Sequence, residues 1–160
     1  MYRFDETSSC HRRPYHGLCL YTKHPINAAT MTYVTFQETE LLVFKLIVDN
    51  YPLTVIGLYK APTPANTISI EHCLLQVHNM FDNNVVIVGD FNLNWNHTQH
   101  RCKLNSLMEP YNMKQIQTGV TTDYGSILDL VFTRTDNLLI ATTTLECYYS
   151  DHKPICISIT

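Results

Sequence analysis

The segment "NVVIVGDFN" limits the architecture more than any other stretch of the chain. Val85, Val86, Ile87 and Val88 are four consecutive β-branched residues, and Gly89 and Asp90 follow at once. A strand with one wet face alternates apolar and polar residues, whereas an unbroken apolar run needs cover on both faces. This segment therefore reads as an inner strand of a layered structure. The 160 residues suffice for one domain with a real core, spanning 1–160.

The other elements fit that frame. Further strands are expected at "YHGLCLYT" (Tyr15–Thr22), at "ELLVFKLIV" (Glu40–Val48) and at Leu53–Tyr59, the last two joined by the turn "DNYP". "APTPAN" then interrupts regular structure, because its prolines lack backbone donors. A helix follows. Asn66 or Thr67 can cap it, and Ile70, Leu74, Val77 and Phe81 recur at helical spacing with Cys73 alongside. After the Val85–Val88 strand a polar loop, "NLNWNHTQH", leads to a short helix around Arg101–Glu109. "MKQI", "SILDLVFT", "LLIATTTLE" and "PICISIT" complete the strands. Strands dominate and helices interrupt them, which gives an α/β (or α+β) layered sandwich.

Several classes are disfavoured. Lys45 breaks the longest apolar run, "LLVFKLIV", so no membrane span is expected. The start, "MYRFDETSSCHRRPYHG", has no apolar stretch of the secretory kind, and an intracellular place, nuclear or cytoplasmic, is expected. Cys10, Cys19, Cys73, Cys102, Cys147 and Cys156 form no CxxC pair and read as reduced, mostly buried thiols. A net charge of −3 gives no global argument for nucleic-acid binding, and the pairs Arg12–Arg13 and Arg101–Lys103 read as solvated loops.

Three short motifs can carry chemistry. In Gly89-Asp90-Phe91-Asn92 the glycine permits a tight turn at the strand end. Asp90 and Asn92 then face one side, a proton acceptor beside a neutral donor. In "YYSDHKPI", Ser150, Asp151 and His152 precede the last strand, and a carboxylate near His152 would favour its charged form. In "ILDLVF", Asp129 interrupts an apolar strand, where a carboxylate is costly unless paired, and a histidine is a natural partner. "HTQHRC" (His97, His100, Cys102) is too loosely spaced for a zinc site and reads as a polar loop.

In this order, GDFN, ILDLVF and SDHKPI resemble the endonuclease/exonuclease/phosphatase superfamily. That superfamily includes DNase I, the apurinic/apyrimidinic endonucleases and the endonucleases of non-LTR retroelements. "GLYKAP" resembles the family's Tyr-x-x-Pro strand end, and "RPYHGLCLYTK" its glycine-containing strand, in the style of the reverse-transcriptase-associated branch. The resemblance runs from about Arg12 to the end of the sequence. It implies a DNase I-like sandwich of two packed mixed β-sheets flanked by helices. It also implies cleavage of phosphate esters with Mg²⁺ or Mn²⁺, with nucleic acid, DNA in particular, as partner and no membrane.

Roles follow by resemblance. Asp90 orients or deprotonates the attacking water, Asn92 donates to a phosphoryl oxygen, and Tyr59 hydrogen-bonds a phosphate oxygen. His152 contacts the phosphate and moves a proton, Asp129 fixes its tautomer, and Asp151 joins Asp90 near the metal. Either Asp90 or His152 can be the general base. In the family, two earlier strands carry an Asn and then the metal-ligating Glu, and this sequence has no room for them. The expectation is a domain without its first family strands, with weakened metal binding and weak or no activity alone. Glu38 in "FQETE" spells the family's QET but lies after the strand it should precede, and Glu6 in "FDET" is an equally poor substitute. The alternatives are an active nuclease of which this is a truncated gene model, with missing strands or a reverse-transcriptase domain in a longer parent polypeptide, and a non-catalytic nucleic-acid or protein-binding remnant.

Overall fold

The computed structural model describes residues 2–5, 17–21, 23 and 31–160. Its longest ladder is set by a two-residue turn. Asp49 and Asn50 have φ of 49° and 70°. Positive φ at both central positions suits the tight hairpin turn whose twist matches its strands, and Asn and Asp tolerate that backbone best. The turn joins β4 (Thr39–Val48) to β5 (Tyr51–Lys60), which pair along their whole lengths from Thr39↔Lys60 to Val48↔Tyr51. β3 (Thr32–Phe36) adds to the far side of β4.

From β5 the chain passes through α1 (Ile68–Val77) and returns as β6 (Asn84–Asp90), parallel to β5. α2 (Thr98–Met108) follows, then the two-residue β7 (Lys114–Gln115) and β8 (Asp129–Arg134). β8 inserts between β6 and β7, giving one mixed sheet in the order β3-β4-β5-β6-β8-β7. β9 (Ile140–Thr144) and β10 (Ile155–Ile159) form an antiparallel pair, as do β1 (Tyr2–Asp5) and β2 (Gly17–Leu20). β2 packs against β4 and β5.

The unbroken apolar run now has its reason. Val85 and Ile87 face α1 and α2, packing with Leu41, Ile56, Leu58, Leu74, Leu104 and Phe132. Val86 and Val88 face the other way, toward Val131, Ile155 and Ile157. Burying a side chain of this kind contributes about 2 kcal/mol, so β6 anchors both layers. The expected α/β sandwich of the DNase I-like kind is the observed fold, and β6 ends at Asp90.

Local differences have physical causes. Tyr51 and Pro52 already belong to β5, because the turn needs only Asp49 and Asn50. α1 ends at Val77, a single 3₁₀ turn covers His78–Met80, and Phe81 is extended. The Thr67 hydroxyl caps nothing, while Asn66 Oδ1 accepts from the Ile68 N–H at 3.0 Å. α2 starts three residues before the expected Arg101. Asp129 opens β8 rather than interrupting it, so its carboxylate lies at the sheet's end. β3 was not expected, and neither was β1. Of "YHGLCLYT", Tyr15, His16 and Thr22 lie outside the described residues, as do Cys10 and Glu6. Cys19, Cys73, Cys102, Cys147 and Cys156 are free as expected, yet only Cys73 is buried.

Candidate active site

The site forms where three neighbouring strands end or begin level with one another. Tyr59 on β5 is the cross-strand partner of Asp90 on β6, and Asp90 is the partner of Asp129 on β8. Residues at one level project to one face, so the three side chains line up across the sheet.

Gly89 lets β5 and β6 approach at this point. Its φ is 151°, and a Cβ there would lie 1.8 Å from the Leu58 carbonyl oxygen. Asp90 follows and is clamped by Asn92. The Asn92 backbone N–H donates to Asp90 Oδ1 at 2.9 Å, and Asn92 Nδ2 donates to Oδ2 at 2.9 Å. Asn92 Nδ2 also donates to the Lys60 carbonyl at 2.7 Å. An amide carries two N–H hydrogens, and both are used here. In this arrangement Asn92 orients Asp90. Donation to a phosphoryl oxygen would require it to release one of these partners.

His152 reaches the site from the other layer. Its Nδ1 hydrogen-bonds Asp129 Oδ2 at 2.8 Å, which leaves Nε2 as the outward nitrogen. Asp90, Asp129 and His152 bring ligand atoms within 4.8 Å of one another, the single such group among the described residues. Asp151 is exposed and outside this group, and its backbone carbonyl accepts from Asp123 N–H at 3.0 Å. Beside His152 and Asp129 lies a groove of about 370 Å³, also lined by Val88, Gly89, Cys147 and Pro154.

The electrostatics separate the two candidate proton carriers. Burial pushes the Asp90 carboxyl up to about 6, with the Asp129 charge adding, against the pull of the Asn92 hydrogen bonds and His152. Burial alone would lower His152, but the hydrogen bond and charge of Asp129 outweigh it, and Asp90 and Asp151 add. The imidazole stands above its ordinary value. Burial raises the Tyr59 phenol, with help from Asp90 and Glu40, so Tyr59 is a neutral donor.

Two supporting residues escaped the sequence reading. Thr121 is fully buried. Its hydroxyl accepts from the N–H groups of Leu128 at 3.0 Å and Asp129 at 3.1 Å, and its carbonyl accepts from Lys153 N–H at 2.8 Å. It therefore sets Asp129 and His152 relative to each other. Lys60 is also fully buried, and its Nζ donates to the carbonyls of Ala61 and Pro64, each at 2.7 Å. This braces the end of β5 whose carbonyl holds Asn92. Polar residues inside strand-and-loop segments were the available signal, but nothing local marks their partners.

Glu38 stands apart from the cluster. It lies in the β3–β4 turn and accepts from Ser69 Oγ at 2.9 Å, pinning the start of α1. The His97 and His100 rings lie 5.0 Å apart, and no group of three ligands includes them among the described residues.

Comparisons with known proteins identify the family and the fold. The Endonuclease-reverse transcriptase family profile matches residues 53–156, which hold Tyr59, Asp90, Asn92, Asp129 and His152. No curated protein matches the sequence. Among solved structures, the endonuclease domain of TRAS1, a telomere-specific non-LTR retrotransposon, is similar at TM-score 0.60 and 15% identity, over 81% of this chain and 67% of that one. An endonuclease/exonuclease/phosphatase family protein from Leptotrichia buccalis is similar at TM-score 0.62 and 15% identity, over 87% of this chain and 63% of that one. The inositol polyphosphate 5-phosphatase domain of SPsynaptojanin, in complex with inositol (1,4)-bisphosphate and calcium ion, has TM-score 0.54 and 17% identity, over 78% of this chain and 52% of that one. The chain thus spans between about half and two thirds of the length of these structures. With the profile covering well over half of its residues, the chain belongs to the Endonuclease-reverse transcriptase family within the endonuclease/exonuclease/phosphatase superfamily.

Proposed function

We propose that this chain is a divalent-cation-dependent phosphodiesterase acting on nucleic acid, DNA in particular, with weak activity in these 160 residues alone. The observation that carries the reading is the convergence of Asp90, Asp129 and His152 within 4.8 Å, with Asp90 clamped by Asn92 and His152 by Asp129.

The donor set fits Mg²⁺ or Mn²⁺. Asp90 and Asp129 are like charges directly opposite each other, an arrangement that is unfavourable unless something positive offsets it. Asp90 would hold the ion, Asp129 is the other carboxylate of the group, and Asp151 is near enough for its charge to act on His152. When bound, the ion supplies charge stabilisation to the phosphoryl group. Both Asp90 oxygens already accept from Asn92, and one Asp129 oxygen is taken by His152. Mg²⁺ binds through one or two well-placed carboxylates, so this set supports low affinity.

The protein's own groups divide the proton work. Asp90, near 6, is mostly ionised at neutral pH and takes the proton of the attacking water. As the phosphorus–oxygen bond breaks, protonated His152 gives a proton to the leaving oxygen. Tyr59 donates to a phosphate oxygen. Activity then rises with pH as Asp90 ionises, at a point that a bound cation draws below the metal-free value of about 6, and falls above His152's raised value. Asp129→Asn removes the hydrogen bond and charge that raise His152, so the falling limb of the pH–rate profile moves to lower pH. An unchanged falling limb would remove His152 from the proton transfer.

Nucleic acid is favoured by the rim of the site. Tyr124 is 83% exposed, Tyr148 89% and Tyr149 99%. They flank His152 on two loops joined by the Asp123–Asp151 and Lys153–Thr121 backbone bonds. An acidic chain lacks a strong electrostatic pull on phosphates, and exposed aromatic rings offer base stacking, about 1–3 kcal/mol per base. The Tyr148→Ala, Tyr149→Ala double variant is expected to weaken binding of a single-stranded oligonucleotide about tenfold. Fluorescence anisotropy measures this, with the thermal midpoint as control. A reverse-transcriptase domain in a longer parent polypeptide would supply the remaining contacts, and the place of action is nuclear or cytoplasmic. Among the described residues no helix is long and apolar enough to cross a membrane. The competing reading, a non-catalytic binding remnant, predicts nucleic-acid binding indifferent to EDTA and to Asp90→Asn.

A further inference from the structure

The register carries the polar row one strand beyond Tyr59. Glu40 on β4 is the cross-strand partner of Tyr59, as Tyr59 is of Asp90 and Asp90 of Asp129. Four adjacent strands therefore place Glu40, Tyr59, Asp90 and Asp129 at one level on one face. Further along β4 the same face carries Leu42 and Phe44, both buried. An ordinary residue at position 40 would be apolar as well.

Glu40 is only 5% exposed. A carboxylate so deep is costly unless it is held, and the Tyr33 hydroxyl donates to its Oε2 at 2.8 Å. Tyr33 is the partner of Leu42, so it sits diagonally from Glu40 on the same face. Glu40 is not among the ligand atoms that gather with Asp90. Two strand spacings put their Cα atoms about 10 Å apart. The residue between them is Tyr59.

Building on the phosphodiesterase reading, we infer that Glu40 is a positioning residue for that reaction. Its carboxylate, buried beside Tyr59 and oriented by Tyr33, fixes the Tyr59 side chain so that the hydroxyl is presented to the substrate phosphate. Tyr59 stands between two carboxylates, Glu40 on β4 and Asp90 on β6. A phenol is neutral at the pH of the reaction in any case, so Glu40 acts by placing the hydroxyl and not by setting its charge. Glu40 touches no reacting atom in this arrangement and acts only through Tyr59.

A double-mutant cycle isolates that dependence. Glu40→Gln keeps the size of the side chain and an oxygen for Tyr33. It is expected to lower kcat about tenfold with KM within about twofold. In a Tyr59→Phe background the same change should cost less than about twofold. Tyr33→Phe keeps the Glu40 carboxylate but loosens it, and should show the same non-additivity at about threefold. Circular dichroism and the thermal midpoint report on folding for each variant.

A second arm needs no turnover. Affinity for a phosphorothioate-linked oligonucleotide should fall at least about threefold with Glu40→Gln and no further once Tyr59 is Phe. Equal effects of Glu40→Gln in both backgrounds, in either arm, would overturn the inference. If the unaltered chain cleaves no phosphodiester but the binding cycle is non-additive, the reaction reading fails and the positioning role stands. If the chain neither cleaves nor binds, both fall.

Discussion

His152→Ala is expected to lower the cleavage rate of an activated phosphodiester about a thousandfold, within the range that general acid–base catalysis supplies. The size follows from position. His152 is one of three groups converging within 4.8 Å, and its tautomer is set by the 2.8 Å hydrogen bond that its Nδ1–H donates to Asp129. Removing the ring also leaves Asp90 and Asp129 facing each other without their nearest cation. The falling limb of the pH–rate profile should vanish together with the rate. Steady-state rates with bis(p-nitrophenyl) phosphate between pH 5 and 9 decide this. A variant within about threefold of the unaltered chain would exclude His152 from the chemistry.

Gly89→Ala should destroy the fold where His152→Ala only silences the site. The added Cβ would lie 1.8 Å from the Leu58 carbonyl oxygen, a backbone atom that cannot step aside without breaking the β5–β6 ladder. The φ of 151° adds strain for any residue with a Cβ. Together these place the loss at about 4 kcal/mol or more, the range reserved for steric and packing failures. Gly57 is the control. A Cβ there meets its nearest atom at 3.9 Å, an ordinary contact, so Gly57→Ala should cost about 1 kcal/mol or less. Urea unfolding followed by circular dichroism compares the two. Similar midpoints would mean that Gly89 is not the constraint described here.

The contrast between these two glycines shows what is legible in a sequence. GDFN announces itself because the glycine, the acid and the amide act on their immediate neighbours. The Val85–Val88 run implies a covered strand, since burial on both faces leaves no polar alternation. The pairing of Asp129 with His152 was anticipated from the cost of a lone carboxylate, and the structure brings them to 2.8 Å.

Long-range partners were not legible. Thr121 holds Asp129 through backbone N–H groups, a contact to which side-chain identity at the receiving end is irrelevant. Asp151 was expected near the metal with Asp90, yet it is exposed and outside the group of ligand atoms, and only its charge acts on His152. Glu40 looked like the plain start of a strand. Only the β4–β5 register, fixed by the left-handed pair Asp49–Asn50, sets it level with Tyr59. The amide of Asn92 was expected to face substrate, but the carbonyl of buried Lys60 at the end of β5 competes for it.

Nicking of supercoiled plasmid by the purified chain tests the central claim most directly, because one break per molecule is visible even at very low turnover. With the chain in excess over plasmid, slow nicking is expected that needs millimolar Mn²⁺ or Mg²⁺. EDTA should abolish it, and Asp90→Asn should lower it at least about a hundredfold while leaving the thermal midpoint nearly unchanged. Nicking that survives EDTA or Asp90→Asn, or plasmid binding with no nicking at any cation concentration, would contradict a phosphodiesterase centre built on Asp90, Asp129 and His152.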